Sequence, residues 1–242
     1  MQELEVKSAL VSFRQETGAE KASLDWRAVG ADSLMAASPW RTFRWYIGQK
    51  HYSGTYWSST VCDHVIYESR LELTRLLFAD FDPQVEGIVA QPFLLEAEID
   101  SVVRRHIPDY LLLTSGGPVV VDVKPKHRLE RPAVAFAFAW TRELVEARGW
   151  SYEVWTEPDS VELANVRFLA GYRRTWLLNE DLIAELRTAD LVGATLAEAF
   201  ASLPGRPGPL VRAAVLGLVW SRWWTLDLVR PLSGRTVLGA GR

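Results

Sequence analysis

The sequence predicts an α/β protein, a central mixed sheet flanked by helices and followed by a small helical C-terminal module. Three observations carry that expectation. Leu73, Leu76, Leu77 and Phe81 recur at helical spacing over 67–81, and Asp82-Pro83 stops the helix because the residue before proline is pushed out of the helical region. Two apolar runs, 110–113 and 119–123, flank Ser115-Gly116-Gly117-Pro118, which is the pattern of a β-hairpin. A second helical stretch, 132–148, has Ala137, Trp140 and Leu144 on its inner face and Gly149 as its stop, and it leads into an alternating strand over 150–155.

Composition sets the bounds. With 242 residues, 48% apolar and 24% charged, the chain can bury one sizeable core with a smaller appendage. The first residues lack a basic region followed by an apolar stretch, and the apolar run 213–220 is too short to span a bilayer, so neither secretion nor membrane insertion is expected. A lone Cys62 forms no internal disulfide and no zinc cluster, which fits a reducing cytoplasm. The net charge of −3 argues against strong general affinity for nucleic acid, so any DNA contact has to be local.

Taken in order, the chain is expected to divide at 1–60, 61–175 and 176–242. Residues 1–38 read as an arm or small cap with a short helix over 2–13, where Glu3 and Lys7 pair at i,i+4. Between 39 and 60 the aromatics Trp40, Phe43, Trp45, Tyr46, Tyr52, Tyr56 and Trp57 are interleaved with Arg41, Arg44, Lys50 and His51. Such a stretch suits either nucleic-acid stacking or strands packed on the main domain. Glu72, one turn before Leu76, sits at the edge of the buried stripe. Ser69-x-x-Glu72 also reads as a capping box, and spacing leaves the two roles open. Strands follow at 85–93, carrying Gln91, and at 94–103, with a polar bend at Asp100-Ser101.

The hairpin carries the chemistry. Val120, Asp122 and Lys124 share one face of its second strand, and Asp109, Leu111 and Leu113 share one face of the first. A suitable register then sets Asp109 beside Asp122. Two carboxylates forced together in a half-buried sheet take up a proton or a cation. Magnesium suits such a pair because it prefers hard oxygen ligands and needs only one or two protein carboxylates, with Lys124 beside it as a point charge for a phosphate oxygen. The bland alternative is a surface salt bridge between Asp122 and Lys124. Arg104, Arg105 and His106 precede Asp109, and Lys126, His127 and Arg128 follow Lys124, so both strands carry basic residues suited to phosphate or merely solvated.

In the tail, 160–242 holds ten arginines, no lysine and seven acidic residues. Asn179 and Thr195 look like helix caps, the latter with Glu198 as a capping box; 204–209 is a break; a helix over 210–224 is followed by a short hairpin of 227–229 with 236–238. That order suggests a winged-helix-like module with Trp220, Trp223 and Trp224 as its core.

Pro108-Asp109 followed by Asp122-Val123-Lys124 resembles the PD-(D/E)xK nuclease pattern, and helix, strands with a central hairpin, helix, strand is the order of the restriction-endonuclease-like core. Together with Tyr67-Glu68-Ser69-Arg70-Leu71-Glu72, Asp80-Phe81-Asp82-Pro83, Gln91-Pro92-Phe93 and Asn165-Val166-Arg167-Phe168-Leu169, these segments resemble the TnsA-like endonuclease subunit of heteromeric transposases over roughly 41–174. The resemblance implies a catalytic set of Glu72, Asp109, Asp122 and Lys124. The metal would be held by Asp109, Asp122, the Val123 carbonyl and Glu72, with Gln91, Arg105, His106 and Lys126 supporting the site or facing DNA. It further implies Mg2+, for which Mn2+ substitutes, and hydrolysis of one DNA strand at a transposon end to give a 5′-phosphate and a 3′-hydroxyl. The implied partners are an integrase-like transposase and, through the C-terminal module, an ATPase regulator of transposition. Some members of that family carry glutamine at the position of Asp122. A stand-alone restriction- or repair-type nuclease of the same fold, and a non-catalytic adaptor, are the other readings of the same residues.

Overall fold

A computed structural model of the chain describes residues 6–15, 17–41 and 52–241. In chain order the first part comprises β1 (Val6–Gln15), β2 (Glu20–Asp25), α1 (Ala31–Met35), β3 (Ala37–Ser38), β4 (Gly54–Ser58), β5 (Asp63–Tyr67), α2 (Arg70–Phe81), β6 (Val85–Ala90), β7 (Leu94–Ile99), β8 (Val102–His106), β9 (Tyr110–Thr114), β10 (Gly117–Val123), α3 (Pro132–Glu146) and β11 (Ser151–Trp155). The chain falls into two compact units, one of Met1–Ala79 with Gln84–Glu157 and one of Asp80–Pro83 with Pro158–Arg242.

The first unit holds a mixed sheet in the order β11-β10-β9-β6. β9 runs antiparallel to both β6 and β10, and β10 runs parallel to β11. A parallel pair needs a crossover, and α3 supplies it. α3 packs on the face that carries Leu111, Val120 and Tyr152, joining them in one core through Phe138, Trp140, Leu144 and Val145. The opposite face meets α2: the Arg75 guanidinium pairs with Glu153 at 2.8 Å, and Phe78 lies 5.2 Å from Trp155. The expected helix-flanked mixed sheet is therefore present.

A second sheet, β2-β1-β7-β8 with β3 on β1, packs into the same core through Val11, Phe13, Leu95 and Ile99. This corrects the expected helix over 2–13. In its described part the segment is β1, pairing with β2 on one side and β7 on the other. Buried Val11 and Phe13 alternate on the strand, and pairing with strands distant in sequence outweighs the weak i,i+4 attraction read from Glu3 and Lys7. It also ties the N-terminal segment, expected as an arm, into the first unit. The strand expected over 94–103 is a hairpin instead: Asp100 and Ser101 both adopt positive φ, 50° and 63°, the two-residue turn that matches strand twist, and β8 continues to His106.

Trp26 anchors the join between the second sheet and α3. It is 1% exposed, donates from Nε1 to the Leu144 carbonyl at 2.9 Å, and lies 5.1 Å from Phe93 and 5.5 Å from Trp150. Trp26→Ala is expected to cost about 3–5 kcal/mol, because it leaves a cavity and an unpaired carbonyl. Urea unfolding checks this. A change within ~1 kcal/mol would mean that the join rests elsewhere.

In the aromatic-rich stretch, Phe43, Arg44, Trp45, Tyr46, Lys50 and His51 lie outside the described residues. Of the others, Tyr56 is buried in β4, Trp40 lies under the Arg14 guanidinium, and Tyr52 is stacked on Tyr67 and covered by Arg70.

The second unit contains α4 (Ser160–Leu169), α5 (Glu180–Thr188), α6 (Leu196–Ala201), α7 (Gly208–Trp220), β12 (Trp224–Thr225) and β13 (Gly239–Ala240). Asn179 caps α5, and Thr195 with Glu198 closes a reciprocal box on α6. α7 begins at Gly208 because Pro209 fits the first helical turn, where its missing N–H costs nothing. The expected hairpin of 227–229 with 236–238 is corrected: Trp224 pairs with Ala240 and Thr225 with Gly239. Asn165 holds the intervening segment, donating to the carbonyls of Leu228 and Arg230 at 2.8 Å each. Trp220 and Trp224 are core at 4% and 2% exposure, whereas Trp223 is 45% exposed. No helix among the described residues is long and apolar enough to cross a membrane.

Candidate active site

The site is built where β9 begins and β10 ends. In the antiparallel register Val121 faces Tyr110, and one further step sets Asp122 opposite Asp109. The Asp109 Oδ2 accepts from the Val123 N–H at 2.6 Å, which fixes the carboxylate against the end of β10. Lys124 follows on the face of Asp122, its ammonium 5.9 Å from the centre of the Phe138 ring on α3. Glu72 arrives from the first turn of α2.

Electrostatics shows that these groups share one neighbourhood. Burial pushes the Asp109 carboxyl well above its usual range; the charges of Asp122 and then Glu72 push it further, against smaller opposing effects of the Val123 N–H and Lys124. Burial also raises Glu72; the Glu68 N–H and the Ser69 hydroxyl oppose it, the Glu68 charge adds to it, and Lys124 lowers it. Asp109 thus feels the charges of Asp122, Glu72 and Lys124, and the four groups come from three separate segments. The surface salt-bridge alternative does not hold, since Asp122 is 2% exposed.

Of the two roles left open for Glu72, the capping box is formed. Ser69 Oγ accepts from the Glu72 N–H at 3.1 Å and donates to Oε1 at 2.7 Å, while Oε2 accepts from the Glu68 N–H at 2.7 Å. The cap therefore fixes the carboxylate whose charge raises Asp109. Gln91, immediately after β6, is buried and has a positive φ of 46°, a conformation costing a non-glycine residue about 1 kcal/mol or more. Its N–H donates to the Asp109 carbonyl at 2.9 Å, and its side-chain amide donates to Glu68 Oε1 at 2.6 Å. Gln91 thus links the Asp109 backbone to the acidic start of α2. Glu68 was not singled out in the sequence. Its place in Tyr67-Glu68-Ser69 was the only available signal.

No known protein family and no curated protein matches this chain.

His106 stands at the end of β8 with Nε2 at 2.8 Å from each oxygen of Asp122. It therefore supports a carboxylate rather than a phosphate, as its basic neighbours had suggested. Tyr152, a residue that the sequence offered only as an alternating strand position, donates its hydroxyl to Asp122 Oδ2. Burial and the Asp122 charge push the phenol's ionisation far up, so it stays a donor. Arg105 is turned away, paired with Glu96 at 2.6 Å, and the Lys126 N–H donates to Glu157 at 2.9 Å.

Among the described residues no group of three His, Cys, Asp or Glu side chains is arranged as a metal-ligand set. Every carboxylate of the cluster is engaged by a protein donor, as given above. The donor types nonetheless fit magnesium: Asp109, Asp122 and Glu72 supply hard oxygens with more lone pairs than their hydrogen bonds use, and the net charge of the cluster with Lys124 is negative.

Proposed function

We propose that the chain is a magnesium-dependent DNA endonuclease of restriction-endonuclease-like fold, which works with an integrase-like transposase to cut one strand at transposon ends. The reading is supported above all by the register that sets Asp109 beside the end of β10, next to Asp122 and Lys124, and by the charge of Glu72 that Asp109 feels there. The strand order β11-β10-β9-β6, with β9 alone reversed, supports it further, as does the crossover through α3. In this reading the second unit is the helical, winged-helix-like module that meets a transposition partner such as an ATPase regulator.

The ion would be held by Asp109, Asp122 and the Val123 carbonyl, with Glu72 directly or through water, and when bound it would supply Lewis-acid stabilisation of charge on a phosphate oxygen. The chain's own groups do the rest. Lys124 sets a positive charge beside the carboxylates, where a phosphodiester is otherwise repelled, and steadies the negative charge that gathers on the phosphoryl oxygens. Half-buried Asp109, held by the Val123 N–H, keeps its orientation without rearrangement. Hydrolysis leaves the phosphate on the 5′ end and a free 3′-hydroxyl.

The test is cleavage of DNA carrying a transposon end, with magnesium and with or without an integrase-like transposase. The expected result is one nick per end that requires both. Efficient cutting of plain plasmid by the purified chain would replace the transposition role with that of a stand-alone nuclease. A non-catalytic adaptor is the second reading, favoured by the engagement of each carboxylate with protein donors. It predicts no cutting under any of these conditions.

A further inference from the structure

We infer that Tyr152 and His106 are positioning residues that together clamp Asp122 and turn its Oδ1 toward the carboxylate cluster. The inference rests on the metal-dependent reading above and assigns the residues that orient its least accessible ligand.

Two donors from two different sheets converge on one buried carboxylate. Tyr152 lies opposite Val120 in the parallel register of β10 and β11, on the face that also carries Asp122 two residues further on. Its hydroxyl reaches Oδ2. His106 comes from β8 of the second sheet, and its Nε2 is equidistant, at 2.8 Å, from Oδ1 and Oδ2. Each ring is itself fixed. Tyr152 is 6.4 Å from Phe138 edge-on with the Arg142 guanidinium over its face at 4.9 Å, and His106 meets Phe138 and Trp140 edge-on at 6.3 and 6.1 Å.

A carboxylate offers about four lone-pair positions. Tyr152 takes one on Oδ2, and the histidine N–H is shared between the inner positions of both oxygens. Oδ1 is left as the less committed oxygen. Without the clamp, a carboxylate at the end of a strand rotates about its own bond and meets a cation in one orientation among several. With the clamp, the orientation is set before the ion arrives. Groups that hold a ligand in this way change metal affinity by about 10–100-fold when removed.

The experiment titrates the purified full chain with Mn2+ and follows the free ion by electron paramagnetic resonance, so that no DNA cleavage enters the readout. Tyr152→Phe removes only the hydroxyl and is expected to weaken Mn2+ binding about tenfold or more. His106→Leu is expected to do the same, and His106→Gln, which keeps an N–H donor in reach, to recover most of the loss. Should Tyr152→Phe not fold, the two His106 variants carry the test. Unchanged affinity in Tyr152→Phe and His106→Leu, with binding lost in Asp109→Ala, overturns the clamp and leaves the metal-dependent reading standing. Wild-type protein that binds no Mn2+ in an Asp109-dependent way overturns both.

Discussion

Asp109→Asn is expected to lower cleavage by about 1000-fold or more while making the metal-free protein more stable. The first effect follows from removing a negative ligand at the centre of the cluster. The second follows from burial. Folding strips much of the water from the Asp109 carboxyl and exposes it to the charges of Asp122 and Glu72, so it is raised well above its ordinary range. A group whose folded pKa is raised contributes stability that is fully present below its unfolded value, about 3.9, and is lost as the pH rises through the folded one. At neutral pH the metal-free fold bears this cost. Asparagine cannot ionise, and its amide oxygen still accepts from the Val123 N–H. The variant's advantage should therefore be absent near pH 3, grow as the pH rises, and shrink again when saturating Mg2+ is added to both proteins. A gain of about 1 kcal/mol corresponds to ~2–4 °C in Tm for a chain of this length. Thermal unfolding across that pH range, with chelator and with magnesium, checks it. A variant that is less stable than wild type in chelator at pH 7 would show that Asp109 is satisfied without a cation.

The same burial explains which parts of the site were legible in the sequence. The hairpin was, because Ser115-Gly116 and the flanking apolar runs are local signals and because strict alternation fixes the face of Asp122 and Lys124. The two flanking helices and β11 were legible for the same reason. β1 was not. Its pairing partner β7 lies more than eighty residues away in sequence, and nothing in 2–13 announces a sheet whose other strands come later. β8 is not legible as a separate strand because the run 94–103 reads as one strand with a bend, and Asp100-Ser101 alone does not show that the chain turns back on itself. The partner of His106 depends on that pairing. Basic neighbours made it look like a phosphate ligand, whereas joining the second sheet brings it to Asp122 from above. Tyr152 had one available signal, its alternation with Glu153 on β11, but a tyrosine at an inner strand position is usually core, and its hydroxyl's partner becomes visible only when β10 is placed beside it.

Lys124→Gln is expected to reduce cleavage by about 100-fold or more without weakening Mn2+ binding. The two readouts separate because Lys124 acts on the carboxylates and on the phosphate with opposite consequences. Its charge lowers the carboxyls of both Glu72 and Asp109, which means that it partly neutralises the cluster when no ion is present. Removing it leaves the cluster more negative, so a divalent ion should bind as well as before or more tightly. The phosphodiester loses a positive side chain that acts on those carboxylates, and the charge that gathers on its oxygens during attack is met less well. The Lys124 ammonium lies 5.9 Å from the centre of the Phe138 ring, and exchanging it for a glutamine amide removes no apolar core group, so the packing around α3 should be unchanged. Single-turnover nicking and Mn2+ titration on the same preparation give the two numbers. If Lys124→Gln lost metal binding in proportion to cleavage, the lysine would be holding the carboxylates in place rather than acting on the phosphate.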